Sequence, residues 1–205
     1  RLKRMLHMNI AYTPTMKFIN GSRTYLLVML ILSGCNSAQK DAAPPSERAL
    51  WKNNYENLKS LSGDWHLVGG HRLGKKIEPN TAEPFLSYSI SAGGHAVVEK
   101  LFVDKPNEMV SIYYLDSGRL NMDHYCSLGN QPRMVAVPSE DYELAFKLIA
   151  VSNMTDKNDL HISSHAFEFH GPDELTVYWG ATKEQNESNG SVYKVKRNDQ
   201  IRTHP

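Results

Sequence analysis

The sequence predicts an all-β fold, an up-and-down antiparallel β-barrel of about ten strands with one N-terminal amphipathic helix, and three observations carry that prediction. Two-residue alternation of apolar and polar side chains recurs in ten segments, the signature of half-buried strands. Short connections rich in turn residues separate them, which leaves little room for parallel crossovers and favours hairpins. Only one window shows helical spacing. A meander of ten strands must hide its edges, most simply by closing on itself. A β-sandwich is the alternative that the same even spacing permits.

In chain order, residues 1–34 read as a targeting segment. The apolar run Tyr25 to Leu32 follows Lys17 and Arg23 and ends at Leu32-Ser33-Gly34-Cys35, which resembles a bacterial lipoprotein lipobox. Eight apolar residues are too few for the roughly 20 that a membrane-spanning helix needs. The resemblance implies cleavage before Cys35 and lipid on its thiol. Membrane anchoring then rests on several acyl chains, each methylene contributing about 0.8 kcal/mol. Asn36 after the cysteine implies, by the same resemblance, an outer-membrane destination facing the periplasm. Met16 has the position of a natural start. Residues 35–45 form a polar, proline-terminated tether, and 46–200 a single domain. The helix begins behind Ser46 as N-cap, carries Leu50, Trp51, Tyr55, Leu58 and Leu61 at three- to four-residue spacing, and stops near Ser60 before Gly63.

The ten strands are 64–69, 85–91, 95–103, 109–115, 119–127, 133–137, 143–151, 160–169, 174–181 and 191–197. The turn signals between them include Ala92-Gly93-Gly94, Asp116-Ser117-Gly118, Gly129-Asn130-Gln131-Pro132, Gly171-Pro172-Asp173 and Asn189-Gly190.

Charge narrows the partners. The whole chain is formally +1, but all five basic residues of 1–34 belong to the targeting segment, which leaves the rest with 18 basic against 22 acidic side chains. No cluster of Lys or Arg remains to bind a phosphate backbone, so nucleic acid is not an expected partner. Of the two cysteines, lipidation of Cys35 leaves Cys126 without an intramolecular mate. No Gly-x-Ser-x-Gly elbow, phosphate-cradling loop or Cys-x-x-Cys pair follows Cys35.

Leu61-Ser62-Gly63-Asp64-Trp65 after a helix is similar to the Gly-x-Trp opening of lipocalin-like (calycin) barrels, in which the Trp packs across the closed end. The stretch Glu108 to Asp116, His124-Tyr125-Cys126 and Gly129-Asn130-Gln131-Pro132-Arg133-Met134 resembles a family of uncharacterised secreted bacterial proteins with calycin-like barrels. In that family a Thr-His-Tyr-Cys segment leads into Gly-Asn-Gln-Pro; Asp123 stands here in place of the Thr. The resemblance implies a fold and no reaction.

Alternation along 119–127 places Leu120, Met122, His124 and Cys126 on one apolar face, so His124 and Cys126 point inward about 6.6 Å apart. They are soft ligands for zinc or copper, or a histidine–thiol pair for redox or nucleophilic work. The plainer alternative is a core histidine satisfied by a buried carboxylate such as Glu99, with Cys126 as filler. Glu99, His124 and Cys126 are therefore the catalytic candidates, with Glu99 as general base if it faces inward. His161 and His165 complete the metal candidates. They share a strand face about 13 Å apart, too far for one ion without a bend, although either can join His124 across the barrel. Trp65, Tyr113, Phe146, Phe167 and Trp179 sit on inward faces. For a ligand pocket the candidates are Trp65, Tyr113, His124, Cys126, Asn130, Gln131, His165 and Trp179. The alternative is that the Asn130 and Gln131 amides shape a barrel-end turn. Three functions follow: binding of a small, largely apolar molecule inside the barrel, a metal- or thiol-dependent enzyme, or a module presenting its outer face to an envelope protein.

Overall fold

The computed structural model describes residues 42–197, so the lipobox-like segment and Cys35 lie outside the described residues. Helix α1 (Pro45–Ser60) starts two residues earlier than an N-cap at Ser46 would put it. Pro45 occupies the first turn, where its fixed φ suits the helix and its missing N–H costs nothing. The residue at the N-cap position is Pro44, with no side-chain cap, so Ser46 is not the cap. Trp51, Tyr55 and Leu58 are buried along one face, and Leu61 just beyond it, whereas Leu50 is 42 % exposed. No helix among the described residues is long and apolar enough to cross a membrane.

Eleven strands follow: β1 (Gly63–Arg72), β2 (Lys75–Ile77), β3 (Leu86–Ser91), β4 (Ala96–Leu101), β5 (Met109–Asp116), β6 (Arg119–Tyr125), β7 (Gln131–Val137), β8 (Leu144–Ser152), β9 (His161–Phe169), β10 (Glu174–Lys183) and β11 (Asn186–Arg197). From β3 onward each pairs antiparallel with the next, β3 also pairs with β1, and β11 returns to β1. The result is a closed barrel of ten strands, with β2 an extra hairpin arm on the far half of β1. The closing seam depends on Gly70. Its φ is +140°, and a Cβ there would lie 2.0 Å from the Val192 carbonyl oxygen, so only a bare backbone lets β1 approach β11.

Register irregularities interrupt the alternation in the pairings β1–β11, β7–β8, β9–β10 and β10–β11, and the last two bear on the expected turns and faces. The β10–β11 hairpin turns at Glu184-Gln185, both with positive φ, and not at Asn189-Gly190. Asn189-Gly190 instead makes a bulge in β11, between the pairs Trp179↔Ser191 and Ala181↔Ser188. A second bulge inserts one extra residue in β9, between the pairs Gly180↔Ser164 and Ala181↔Ile162. One inserted residue reverses inside and outside. His165 therefore points inward while His161 points away, correcting the expectation that they share a face. Gly180 sits at both bulges, and a Cβ on it would lie 2.1 Å from Ser164 Oγ.

The helix plugs one end. Ala43 N donates to Ser117 O in the β5–β6 turn, and Tyr55 Oη donates to Gly94 O in the β3–β4 turn. Trp65 lies beneath it, fully buried, its Nε1–H donating to Leu61 O at 2.8 Å. The Arg197 guanidinium covers the Trp65 ring at 4.4 Å and donates to the carbonyls of Ser60 and Ser62. Above this floor Tyr113, Phe146, Phe167 and Trp179 all lie in the core, as their inward faces predict.

Candidate functional site

The β5–β6 turn sets the register that builds the site. Asp116 pairs with Arg119, and counting back puts Ser111 opposite His124. On the neighbouring strands Ser111 pairs with Glu99, and Glu99 with Tyr88. Tyr88, Glu99, Ser111 and His124 thus form one inward-facing polar row across β3, β4, β5 and β6, and all four are buried. Tyr88 Oη donates to Glu99 Oε1 at 3.1 Å, and Tyr113 Oη lies 2.5 Å from Oε2. Ser111 Oγ hydrogen-bonds His124 Nδ1 at 3.0 Å and stands beside the Glu99 carboxyl as its cross-strand neighbour. Burial pushes Glu99 up to about 6, against the pull of Tyr113, Ser111 and Tyr88.

A second row faces it. Phe146 pairs with His165, His165 with Trp179, and Trp179 with Ser191. His165 Nδ1–H donates to Tyr178 O at 2.8 Å, which makes Nε2 the lone-pair end of a neutral ring. Burial pushes His165 down to about 3, so it stays neutral. Its Nε2 lies 3.0 Å from Tyr113 Oη. Tyr113 has one proton for two acceptors. If it donates to His165, its own oxygen must accept from Glu99, and Glu99 must be protonated. When Glu99 ionises, the Tyr113 proton turns to the carboxylate and His165 Nε2 loses its donor. The proton on Glu99 is thereby coupled to the hydrogen-bond direction across the whole interior.

At the end opposite the helix the two rows meet in a pocket of about 120 Å³. Its wall is mainly apolar, with Leu101, Phe102, Met109, Leu128, Ile162 and Ala181 among its residues, joined by His124, Cys126 and Trp179. The His124 ring centroid is 4.9 Å from that of Trp179, and His165 stacks on Trp179 at 3.8 Å. Burial pushes His124 down to about 4, so the ring is neutral. Among the described residues, two polar atoms of the pocket's side chains are buried without a hydrogen-bond partner: His124 Nε2 and Trp179 Nε1. Cys126 Sγ donates to Met109 Sδ at 3.7 Å and makes no hydrogen bond to His124. Burial pushes its thiol up, the opposite of nucleophile activation.

The structure brings His124, Cys126 and Trp179 together in the pocket wall. It places Tyr113, His165 and Glu99 in the buried polar network behind it. His124 meets Ser111 and not Glu99 directly. Trp65 lies at the plugged end, away from the pocket. Asn130 and Gln131 serve the loop: Asn130 Nδ2 donates to Leu160 O at 2.9 Å, and Gln131 Nε2 donates to Gly129 O at 3.1 Å. His161 bonds the Asp159 carbonyl through Nδ1 on the outward side. Among the described residues no group of three His, Cys, Asp or Glu side chains is arranged around a common point. Ser111, Met109 and Tyr88 are the site residues that alternation alone did not single out. Counting the register back from the Ser117-Gly118 turn would have found the first two.

No family model and no curated protein matches this chain. The architecture is a closed, ten-stranded antiparallel barrel, compatible with a calycin-like fold.

Proposed function

We propose that this is a lipid-anchored cell-envelope protein whose barrel mouth binds a small, largely apolar molecule. The observation that carries the proposal is an apolar pocket with His124 Nε2 and Trp179 Nε1 left without partners. A buried polar atom without a hydrogen bond costs about 1–3 kcal/mol, so a ligand supplying the missing partner recovers that cost while filling apolar space. Size limits the ligand: an apolar protein cavity of about 150 Å³ holds one benzene, and this pocket offers about 120 Å³ within its walls. A single ring bearing one hydroxyl fits that description. The anchor places such a binder at a membrane surface and rests on Cys35.

A titration with p-cresol and toluene, followed by calorimetry and by the Trp179 indole N–H resonance, tests the pocket. The expected result is saturable binding of one p-cresol, tighter than toluene, and its loss in Ala181→Leu, which fills the pocket. No saturable binding, or binding indifferent to Ala181→Leu, overturns the reading. For the anchor, a Cys35→Ser chain expressed in a bacterial envelope is expected to lose fatty-acid labelling and membrane association; retention of both excludes lipidation at Cys35.

A further inference from the structure

We infer that the wall of this pocket carries a binding site for a soft monovalent metal ion, Cu(I), formed by His124 Nε2, Cys126 Sγ and Met109 Sδ. Register creates the set. Val110 pairs with Tyr125 and Ser111 with His124, so Met109 stands across from Cys126 one step nearer the mouth. All three residues line the same pocket. The two sulfurs are 3.7 Å apart. With metal–sulfur bonds of about 2.3 Å, that spacing subtends roughly 110° at a shared ion, an angle suited to three- or four-coordinate geometry.

The third donor is prepared for a metal. His124 is fully buried, its Nε2 has no partner, and its Nδ1 is held by Ser111, whose cross-strand neighbour is Glu99. A carboxylate bracing the far nitrogen of a ligating imidazole is the usual support of a metal-bound histidine. Here the Ser111 hydroxyl supplies that support, with the Glu99 carboxyl next to it on the adjoining strand.

Donor softness and charge select the ion. A thiolate with a thioether favours Cu(I), while a thioether is a poor ligand for Zn²⁺. On binding, the Cys126 S–H bond breaks, its proton leaves to solvent, a copper–sulfur bond forms, and copper enters and remains as Cu(I). A monovalent ion with one thiolate is neutral, which an apolar wall tolerates; a divalent ion would leave a net positive charge there. The site does not depend on the organic ligand proposed above, although both use His124 Nε2.

The test is an anaerobic titration of the reduced protein with Cu(I) against bicinchoninate, followed by X-ray absorption of the loaded protein. One equivalent with a shell of two sulfurs and one nitrogen is expected. Met109→Leu should lose one sulfur from that shell, Cys126→Ser should lose binding, and Ser111→Ala should weaken it about tenfold or more. Ala181→Leu should block p-cresol and leave the copper shell in place, so the two proposals fail separately. No uptake against the chelator, a single sulfur in the unaltered protein, or a shell unchanged in Met109→Leu overturns the site.

Discussion

At the plugged end of the barrel the buried Trp65 indole finds its partner within the protein, although both ring nitrogens of the neighbouring His66 have none among the described residues, whereas at the mouth two polar atoms facing the pocket have none. Trp65 and Trp179 make the contrast concrete. Both indoles are buried, but Trp65 Nε1–H donates to Leu61 O while Trp179 Nε1 has no partner among the described residues. The floor is built to hold the fold together, with a helix turn, a ring and the Arg197 guanidinium sealing one another. The mouth leaves donors, acceptors and space where a ligand would supply the rest. On the proposed function, one set of alternating strands serves stability at one end and recognition at the other.

The largest effect that sharpens this contrast is expected at the floor. Trp65→Ala should lower stability by about 3–5 kcal/mol, the range for emptying a fully buried large aromatic site. Urea denaturation measures it. A loss under about 1 kcal/mol would mean that the floor collapses into the vacancy and is not the rigid end of the molecule.

Arg197→Met comes next. The guanidinium donates to Ser60 O, Ser62 O and Pro172 O and lies over Trp65. A charge-assisted hydrogen bond contributes about 1.5–3 kcal/mol, and methionine keeps the packing over the ring. A loss of about 2–3 kcal/mol is expected by denaturation, with p-cresol affinity unchanged because the mouth is untouched. A parallel loss of affinity would show that the two ends are coupled.

Between floor and mouth, Glu99 gives a pH signature. His124 and His165 are pushed down to about 4 and about 3 from 6.5, so as pH falls below 6.5 the unfolded chain takes up protons that the folded rings refuse, and stability falls. Glu99 is pushed up to about 6 from 4.5, so its contribution is fully present below 4.5 and is lost as pH rises through 6. The two trends oppose each other between pH 4.5 and 6. In Glu99→Gln only the histidines titrate, and the acid loss of stability should steepen there by up to one proton, about 1.4 kcal/mol per pH unit. Above pH 6 the glutamine amide donates permanently to Tyr113 Oη, so His165 Nε2 keeps its donor and the variant should be at least as stable as the parent. Denaturation from pH 4.5 to 7 checks both limbs; parallel pH curves would place the proton elsewhere.

The barrel and its inward aromatics were legible because alternation needs no partner to be read. Leu120, Met122, His124 and Cys126 declare a shared face within one strand. What stayed hidden depends on relations between strands. Asn-Gly suits a tight turn and a bulge alike, so Asn189-Gly190 misplaced the last hairpin, while Glu184-Gln185 turns with positive φ and none of the residues that favour it. The β9 bulge lies opposite Gly180, on the next strand, so nothing in 161–165 itself reveals that His161 and His165 part company. Pocket volume was equally invisible, since it depends on how far Leu101, Met109 and Trp179 fill a space that ten strands enclose together.

The smallest effect is expected at the mouth, and it bears most directly on the contrast. Met109 is half-buried at the start of β5, and leucine conserves its volume closely enough that Met109→Leu should cost less than about 1.5 kcal/mol. If the mouth is a recognition surface, this nearly silent substitution should leave the denaturation midpoint and p-cresol binding close to the parent while removing a sulfur from bound Cu(I). If it behaves like the floor, stability should fall as it does for a packed core position, and metal and p-cresol binding should weaken with it. The two patterns separate in one set of urea and binding titrations, because only the first dissociates ligand recognition from the folding free energy.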